Sequence, residues 1–416
     1  MKNWLTSIFF ILFCAVISLN LQSQEQENML IKLLEEHSEE LGIVLQNPEK
    51  FRLQILYTMI NRDQDNRPDF ISNEYRLDTT HYFYPASSIK LPVAVLALEK
   101  LNEINIPGLD KETALRIDST YSGQTAVFYD NTSLMGFPTI GNYVKKIFLV
   151  SDNDAFNRLY EFLGQREINE SLWGKGYKSA RINRRLEIGL SPEENRATNA
   201  MTFFRDDSII YKKPAQMNRD TPTVQMKDLK QGKGYFKSGE LIKKPIDFSY
   251  SNYISVRDLQ AILKSVIFPD AVPEKQRFHL TDEDYKFLYR YMSMLPRESD
   301  IEAYQDTTTY PDGYLKFFMF GDNREQIPSH IRIFNKSGQA YGYLIDNAYI
   351  VDFDEKIEFL LTAVLQANEN QIYNDDKYEY EEIGLPFLAK LGWIIYQYEL
   401  KRNRPHPPDL SRFRVH

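Results

Sequence analysis

The sequence is nearly free of cysteine, with Cys14 as the one example in 416 residues. A lone cysteine excludes an intramolecular disulfide, so the fold is not stabilised by disulfide bonds.

Long apolar runs are also scarce. The run from Ile8 to Ile17 has ten residues, whereas a transmembrane helix needs about 20. We therefore expect no stable membrane insertion once the N-terminal segment is removed.

An excess of positive charge is missing as well. The 50 Lys and Arg are outnumbered by 58 Asp and Glu, giving a net charge of −8, whereas nucleic-acid binding needs clustered cations. The six histidines show no His-x-His or His-Glu-x-x-His spacing, so a metal site has little support. No Gly-x-Ser-x-Gly elbow or phosphate-cradling glycine loop is present. The sequence predicts no nucleic-acid partner, no metal and no cofactor.

The first 23 residues are typical of a secretory signal peptide. Lys2 supplies the charge, residues 8–17 form the apolar core, and a polar stretch follows. Cleavage of residues 1–23 would remove Cys14, and a mature chain without a thiol suits export. We expect a periplasmic or extracellular protein. The alternative is a lipoprotein anchored through Cys14, which the large Phe13 before it disfavours.

Hydrophobic patterns divide the rest of the chain into a sheet-forming part at each end and a helical part between them. Residues 24–80 and 331–401 contain strand-like segments with terminal helices, whereas residues 87–330 repeat apolar residues at helical spacing. We therefore predict an α/β fold of the α+β type over residues 24–401. Its antiparallel sheet is built from both chain ends, and an all-helical domain is inserted between them.

Two segments differ from this pattern. Residues 205–250 carry ten Lys and Arg against six acids, with several turn-forming residues, and are interpreted as a basic insertion outside the core. Its role cannot be derived from the sequence. Residues 402–416 contain three prolines and are predicted to form an extended tail.

The segment Ser87-Ser88-Ile89-Lys90 opens the helical part. Residues three apart share a helix face, so we expect the Lys90 amine beside the Ser87 hydroxyl. A serine becomes a nucleophile when a neighbouring base takes its proton, and a lysine whose pKa is lowered by burial is such a base. The alternative is a helix-capping serine followed by a surface lysine.

A second motif, Ser151-Asp152-Asn153, follows an apolar helical pattern. The Ser151 hydroxyl could relay a proton, and the Asn153 amide could bind an amide of a substrate. The alternative is a helix cap, since serine, aspartate and asparagine all favour caps.

A third motif, Lys336-Ser337-Gly338, lies between two strand-like segments. Lys336 and Ser337 could bind a substrate carboxylate, and Gly338 would let a substrate approach the backbone. A second Lys-Ser-Gly, residues 237–239, lies in the basic insertion. No strand pair and closing helix directly follow it, so we do not assign it to the site.

In this order, Ser-x-x-Lys, Ser-Asp-Asn and Lys-Ser-Gly resemble the signature of class A β-lactamases and penicillin-binding serine enzymes. The resemblance covers roughly residues 50–400 in discontinuous blocks. It implies a β-lactamase-like fold in which Ser87 is the acylated nucleophile. Lys90 would then accept its proton, and Ser151 would relay a proton.

The same resemblance implies the substrate-binding residues. Asn153 would bind the substrate amide, and Lys336 with Ser337 would bind the carboxylate. The backbone N–H groups of Ser87 and Gln339, which follows Gly338, would form the oxyanion hole.

In this family a glutamate that activates water separates a β-lactamase from a penicillin-binding protein. The segment Arg185-Leu186-Glu187 is similar to the start of the family's Arg-x-Glu loop, which implies that Glu187 is this base. The family usually places an aspartate near position 197 to pair with the loop arginine, and Ala197 cannot do so. Deacylation is therefore less supported than acylation. The alternative is that Glu187 is an ordinary exposed acid.

The predicted function is an exported serine hydrolase that opens β-lactam rings through an acyl-Ser87 intermediate. One alternative is a D-alanyl-D-alanine carboxypeptidase that acts on cell-wall peptides with the same acylation residues. Another is an inactive binding module of the same fold, which the intact Ser87 and Lys90 disfavour. The expected partner is a small-molecule β-lactam or a cell-wall peptide.

Overall fold

The computed structural model describes residues 29–119 and 123–416. The predicted signal peptide, residues 1–23 with Cys14, lies outside the described residues. Within them, no helix is both long enough and apolar enough to cross a lipid bilayer.

The α-helices of the described chain lie around a central sheet and are labelled in chain order. They are α1 Ser38–Gln46, α2 Lys90–Ile104, α3 Ile140–Val150, α4 Asn153–Leu163, α5 Gln165–Gly174, α6 Pro192–Arg196, α7 Val256–Ile267, α8 Asp282–Ser293, α9 Phe317–Phe320 and α10 Leu385–Lys401. Residues 29–36 are also helical and precede α1. The short α9 is kinked, with Phe318 and Met319 outside helical backbone angles.

The strands are also labelled in chain order. They are β1 Gln54–Arg62, β2 Pro68–Tyr75, β3 Ala114–Ile117, β4 Ala197–Thr198, β5 Met201–Arg205, β6 Ser208–Lys213, β7 Gln216–Met217, β8 Lys230–Gln231, β9 Gly234–Lys237, β10 Glu240–Ile242, β11 Ile246–Asp247, β12 Ile331–Asn335, β13 Gly338–Ala340, β14 Tyr343–Asp352, β15 Ile357–Gln366 and β16 Ile372–Tyr373.

The central sheet is antiparallel and combines the two ends of the chain. Its strand order is β12, β14, β15, β1 and β2, with β13 also paired to β14. The N-terminal hairpin joins the C-terminal strands where Ile55 lies opposite Ala363. All residues of β15 are buried, as expected of a strand covered on both faces. The prediction of an antiparallel sheet built from both chain ends is confirmed.

Helices cover both faces of this sheet because side chains alternate along each strand. In β14, Leu344, Ala348 and Ile350 pack in one hydrophobic layer with residues of α1 and α10. Their neighbours Ile345 and Tyr349 pack in the other layer, which includes α7 and most of the inserted helices. The cleft described below lies at the edge of this second layer.

The part inserted between the two halves of the sheet contains strands as well as helices. β3, β5 and β6 form an antiparallel sheet of three strands, in which Ile117 lies opposite Met201. The prediction of an all-helical insertion is corrected in this respect. These strands are four to six residues long, so the helical spacing of the longer segments around them hides their alternation.

The basic insertion, residues 205–250, consists of short paired strands joined by turns and loops. It was expected to lie outside the core, but Val224 and Phe248 are 3% and 1% exposed and belong to the main hydrophobic cluster. Because charged residues are abundant in this segment, its composition does not indicate that Val224 and Phe248 are buried.

One edge of the central sheet is interrupted. β12 and β13 both pair with β14, with Asn335 opposite Ala348 and Gly338 opposite Ile345. Lys336 and Ser337 therefore occupy the break between two halves of one edge strand. The register is the same on both sides of these two residues, and the Lys336 N–H still donates to the Asn347 carbonyl oxygen at 3.2 Å. Lys336 and Ser337 therefore continue the line of the edge strand beside β14.

The C-terminal residues 402–416 pack against the domain. Phe413 is fully buried, and its ring centroid lies 5.0 Å from that of Tyr349 and 5.5 Å from that of Phe334. The predicted extended tail is corrected to an irregular segment anchored by an aromatic side chain. The prolines explain the lack of a long helix there, and the buried Leu410 and Phe413 hold the segment against the domain.

Candidate functional site

Ser87 lies in a 3₁₀ turn, Ala86–Ile89, that leads directly into α2. Ala86 before it has a φ of +46°, a left-handed conformation that residues with a Cβ seldom adopt and that often occurs at functional sites. Ser87 is half-buried and lines a cleft of about 550 Å³. The turn thus presents the serine at the start of a helix and at the surface of a cavity.

Lys90, the first residue of α2, is fully buried. Its amine donates hydrogen bonds to the Ser151 carbonyl oxygen and to Asn153 Oδ1, both at 2.5 Å, and lies 3.2 Å from Ser151 Oγ. Burial lowers the pKa of Lys90 to about 7, because a charged amine loses its hydration in the interior. The alternative of a surface lysine is excluded. The hydrogen bonds of this amine go to Ser151 and Asn153, however, and not to Ser87.

The Ser-Asp-Asn motif forms the junction between α3 and α4. Ser151 ends α3 with a φ of +56°. Asp152 caps α4, since its carboxylate accepts a hydrogen bond from the Ala155 N–H at 2.7 Å. The cap interpretation therefore holds for Asp152, whereas Ser151 and Asn153 face the lysines. Within this one turn, Asp152 stabilises the start of α4, and its two neighbours, Ser151 and Asn153, contact the buried amines.

Lys336 joins this cluster from the break in the edge strand. Its amine donates to Ser151 Oγ at 2.9 Å and to the Ser337 carbonyl oxygen at 2.7 Å. Burial, together with the nearby Lys90, lowers the pKa of Lys336 well below its usual value. The Ser337 hydroxyl is buried and has no hydrogen-bond partner within the described residues. The Ser151 hydroxyl therefore lies between two amines.

The second Lys-Ser-Gly motif lies elsewhere. Lys237 is exposed at the end of β9, and Ser238 and Gly239 both have positive φ in the turn that leads to β10. The motif is thus the turn of a surface hairpin, a conformation that favours glycine.

A buried polar network lies behind Lys336, and none of the three motifs points to it. The Lys316 amine donates to Asn335 Oδ1 at 2.7 Å, and Asn335 Nδ2 donates to Asp346 at 2.8 Å. Burial lowers the pKa of Lys316 to about 7 and raises that of Asp346 to about 6. This chain of hydrogen bonds holds the residue next to Lys336 in place.

Gly338 brings the edge strand against the turn that carries Ser87. A Cβ at this position would lie 2.7 Å from the Ser87 nitrogen and 2.9 Å from the Ser88 nitrogen, so no larger residue fits without a shift of the backbone. Gln339, the next residue, lines the same cleft as Ser87. The predicted oxyanion hole, formed by the N–H groups of Ser87 and Gln339, is compatible with this placement and stays a prediction.

Glu187 also lines the cleft, but it is exposed. Its φ is +60°, and its carboxylate makes no hydrogen bond or ion pair with Lys90 or Asn153. The structure therefore brings Glu187 to the same cavity as Ser87 without joining it to the hydrogen-bonded cluster. Its predicted role as the base for deacylation remains untested.

The loop that carries Glu187 is fixed by an acid that sequence reasoning missed. The Arg185 guanidinium contacts the Glu161 carboxylate at 2.8 Å, and both side chains are 0% exposed. Arg185 also donates to the Ala197 carbonyl oxygen at 2.7 Å. The aspartate absent at position 197 is thus replaced by Glu161 from α4.

A regular spacing on α4 could have revealed this acid. Asn153, Asn157 and Glu161 are four residues apart, so they share one face of the helix. Asn153 contacts Lys90, Asn157 exchanges two hydrogen bonds with the backbone of Leu186 at 2.8 and 3.0 Å, and Glu161 binds Arg185. The recurrence of polar residues every four positions along this helix is the signal.

The described residues contain no group of three or more His, Cys, Asp or Glu side chains arranged to hold a metal ion. The chemistry of the cluster is that of proton transfer between amines and hydroxyls. A buried amine of low pKa and a cleft-lining serine are the components that acyl transfer through a serine requires.

Comparison with known sequences agrees with this chemistry. The profile of the β-lactamase enzyme family matches residues 71–398. The chain therefore belongs to the β-lactamase enzyme family, and the resemblance inferred from the three motifs is confirmed. No curated protein matches the chain at a significant level.

Several solved structures are similar to this chain at low sequence identity. A β-lactamase from Desulfarculus baarsii is 14% identical, with 89% of this chain and 98% of that chain covered and a TM-score of 0.46. An ancestral class A β-lactamase is also 14% identical, with coverages of 88% and 99% and a TM-score of 0.46. A β-lactamase from Sphaerobacter thermophilus is 10% identical, with coverages of 90% and 99% and a TM-score of 0.47.

Proposed function

We propose that the protein is an exported serine hydrolase that opens β-lactam rings through an acyl-Ser87 intermediate. The observation that carries the proposal is the hydrogen-bonded cluster of Lys90, Ser151 and Lys336 beside the cleft that Ser87 lines. Such a cluster supplies both a base for the nucleophile and a path for its proton. The reaction needs no metal or cofactor.

In the acylation step, Lys90 takes the proton of the Ser87 hydroxyl, and the oxygen attacks the lactam carbonyl carbon. The bond between this carbon and the ring nitrogen then breaks. The proton passes from the lysine through the Ser151 hydroxyl to the nitrogen, so that the number of protons is conserved. Backbone N–H groups of Ser87 and Gln339 would stabilise the negative charge on the carbonyl oxygen.

The substrate is held by groups at the same end of the cleft. Lys336 and the Ser337 hydroxyl offer two hydrogen-bond donors to a carboxylate, and the negative charge of the carboxylate would favour the protonated form of the Lys336 amine. Asn153 would bind the amide of the acyl side chain through Nδ2, since its Oδ1 already accepts from Lys90. These roles rest on the motif match and on the position of each residue.

Intact-protein mass spectrometry after mixing with a penicillin tests the acylation step. We expect one adduct with the full mass of the penicillin, because ring opening leaves no fragment behind, and peptide mapping should place it on Ser87. Ser88→Ala is the matched control, since the Ser88 hydroxyl is buried and donates to the Pro85 carbonyl oxygen. An adduct that persists in Ser87→Ala would reject the assignment.

Replacing Glu187 with glutamine should keep the acylation burst and slow the turnover that follows by about 10²-fold or more, the usual contribution of a general base. The amide preserves the shape of the side chain but cannot accept the proton of water. Stopped-flow absorbance with a chromogenic cephalosporin separates the two phases. Glu193→Gln, which changes an exposed acid of α6, should behave as wild type. Unchanged turnover in Glu187→Gln would remove this residue from the mechanism.

A D-alanyl-D-alanine carboxypeptidase is the second candidate, favoured by the exposure of Glu187. A carboxylate outside the hydrogen-bonded cluster is poorly placed to activate water beside the acyl ester, and slow deacylation is the behaviour of a penicillin-binding protein. A wild-type protein that stops after one equivalent of cephalosporin would select this function. An inactive binding module would give neither a burst nor an adduct.

Export is part of the proposal and rests on residues 1–23. The mature protein would be periplasmic or extracellular, where its substrates occur. N-terminal sequencing of the protein recovered from a bacterial periplasm should give a start near Gln24, whereas a lipid-modified Cys14 at the N-terminus would show an anchored lipoprotein.

A further inference from the structure

Part of the cleft is formed by a segment between β16 and α10. Asn374, Asp376, Tyr378 and Tyr380 line the same cavity as Ser87. We call residues 374–380 the cleft wall. None of the three catalytic motifs includes these residues, so their role is open.

The basic insertion holds the cleft wall in place. β16 pairs in parallel with β9 of the insertion, with Tyr373 opposite Tyr235. At the start of the wall, Asn374 Nδ2 donates to the Phe236 carbonyl oxygen at 3.2 Å. At Gly232 a Cβ would lie 2.5 Å from the Tyr373 ring, so the two segments are in close contact. The insertion therefore contributes to the shape of the cleft.

The tyrosines of the wall are fixed through their hydroxyl groups. The Tyr380 hydroxyl accepts a hydrogen bond from the Gly342 N–H at 2.8 Å, and the Tyr378 hydroxyl accepts one from the Asn374 N–H at 2.7 Å. The two ring centroids are 5.3 Å apart. The backbone N–H groups fix the positions of these hydroxyls, and each hydroxyl keeps its own O–H to donate. The two tyrosines therefore offer a ligand aromatic surface together with hydrogen-bond donors.

A carboxylate accompanies these rings. Asp376 is exposed, lines the cleft and has a φ of +56°. It makes no hydrogen bond or ion pair in the described part of the chain. Its neighbour Asp375, in contrast, accepts hydrogen bonds from Asn370 Nδ2 at 2.7 Å and from the Lys377 N–H at 3.1 Å. Asp376 is therefore the acid of this wall that is free to bind a ligand.

Aromatic rings beside an unpaired carboxylate suit a ligand that carries both a ring and a positive charge. A cation is attracted to ring faces and to a carboxylate, whereas a neutral aryl group gains the ring contact alone. Glu187 adds a second carboxylate to the lining, and Arg184 adds one opposing cation. Arg185 is not counted, because its charge is paired with that of Glu161. Two carboxylates and one guanidinium then remain in the lining, and this net negative charge favours a cation.

We propose that the cleft wall is a subsite for an acyl side chain that carries an aromatic ring and an ammonium group, with Asp376 as the residue that selects the ammonium. The inference rests on the proposed function, because this side chain belongs to the β-lactam or peptide that would acylate Ser87. It gives the basic insertion a role as the support of a specificity element.

Ampicillin and benzylpenicillin test this subsite, because they differ only by an amino group on the phenylacetyl side chain. Equilibrium binding is measured by calorimetry in the Ser87→Ala protein at about pH 6.5, where an α-amino group is protonated. Measured in this way, the preference does not depend on turnover. We expect ampicillin to bind about five-fold more tightly, the size typical of an exposed charge contact. Added salt should reduce this ratio.

Two variants in the Ser87→Ala background identify the residue responsible. Asp376→Asn should bind both penicillins equally, whereas Asp375→Asn, which removes the same charge one residue away, should keep the preference. Tyr378→Leu should weaken the binding of both compounds. Equal binding of the two penicillins to the Ser87→Ala protein, or a preference that survives Asp376→Asn, would overturn the inference.

Acylation of the intact protein is read separately by mass spectrometry. Adducts with both penicillins, together with equal binding, would keep the proposed function and reject the subsite. Absence of any adduct and of any penicillin hydrolysis, together with an ampicillin preference that depends on Asp376, would reject the hydrolase function and keep the subsite.

Discussion

Replacing Lys90 with methionine should slow the acylation of Ser87 by about 10³-fold, within the range that a general base contributes. A neutral amine has two N–H donors and one lone pair. The Ser151 carbonyl oxygen and Asn153 Oδ1 accept the two donors, which leaves the lone pair free to take a hydroxyl proton. Methionine fills the buried space but has no basic nitrogen. Stopped-flow measurement of the cephalosporin burst gives the rate.

The pH dependence of this step follows from the lowered pKa of Lys90. Only the neutral amine accepts a proton, and its fraction rises with pH up to the pKa of about 7. The acylation rate should therefore rise about tenfold per pH unit below pH 7 and level off above it. In Lys90→Met the residual rate should lose this dependence. A wild-type rate that still rises toward pH 10 would show an amine of ordinary pKa and contradict the assignment.

Lys213→Met is the matched control for this prediction. Lys213 is also buried, and burial lowers its pKa to about 8. Its amine contacts Thr198 Oγ1 at 2.9 Å and the Asn199 carbonyl oxygen at 3.3 Å, not the Ser151 cluster. The folded fraction of this variant should acylate at the wild-type rate. A loss equal to that of Lys90→Met would show that any buried amine is needed for the fold alone.

Replacing Glu161 with glutamine should lower the free energy of unfolding by about 3–5 kcal/mol, the usual cost of leaving one member of a buried ion pair without its partner. Both side chains of the Glu161–Arg185 pair are 0% exposed, so water cannot replace the lost carboxylate. The midpoint of urea denaturation, followed by circular dichroism, measures the change. In the folded fraction, deacylation should slow more than acylation, because Arg185 anchors the loop that carries Glu187.

Two further variants show whether burial is the cause. The double variant Glu161→Leu with Arg185→Met removes both charges and should be less destabilised than Glu161→Gln. Glu283→Gln breaks an ion pair with Lys286 whose side chains are 74% and 65% exposed, and should leave the urea midpoint unchanged. Equal midpoints for Glu161→Gln and Glu283→Gln would contradict the conclusion that the buried ion pair stabilises the fold more than the exposed one.

The sequence was most informative where residues act through local spacing. Ser87 and Lys90 belong to one turn and helix start, and Ser151 with Asn153 to one helix junction, so their motifs could be read directly. Lys336 could be chosen over Lys237 because strand patterns surround it. The antiparallel sheet followed from the same patterns at the two chain ends.

Long-range partners were not readable in this way. Glu161 meets Arg185 only because α4 packs beside the loop, and the wall with Asp376 reaches the cleft only because β16 pairs with β9. Phe413 was hidden in a segment whose prolines indicate an irregular chain. In each case a single side chain finds its partner across the fold. The four-residue spacing on α4 marks Glu161 as a polar residue on the face of Asn153 and Asn157, but no local spacing identifies Arg185 as its partner.

The position of the edge strand near the C-terminal end would make the proposed hydrolytic activity a late event in the folding of the chain. Lys336 and Ser151 are 185 residues apart, and Gly338 must come to rest against the Ser87 turn before the cleft has its floor. A chain still emerging from the ribosome therefore carries Ser87 long before it carries Lys336. Contacts between distant residues also form slowly, so antibiotic turnover by this protein would report a completely assembled domain.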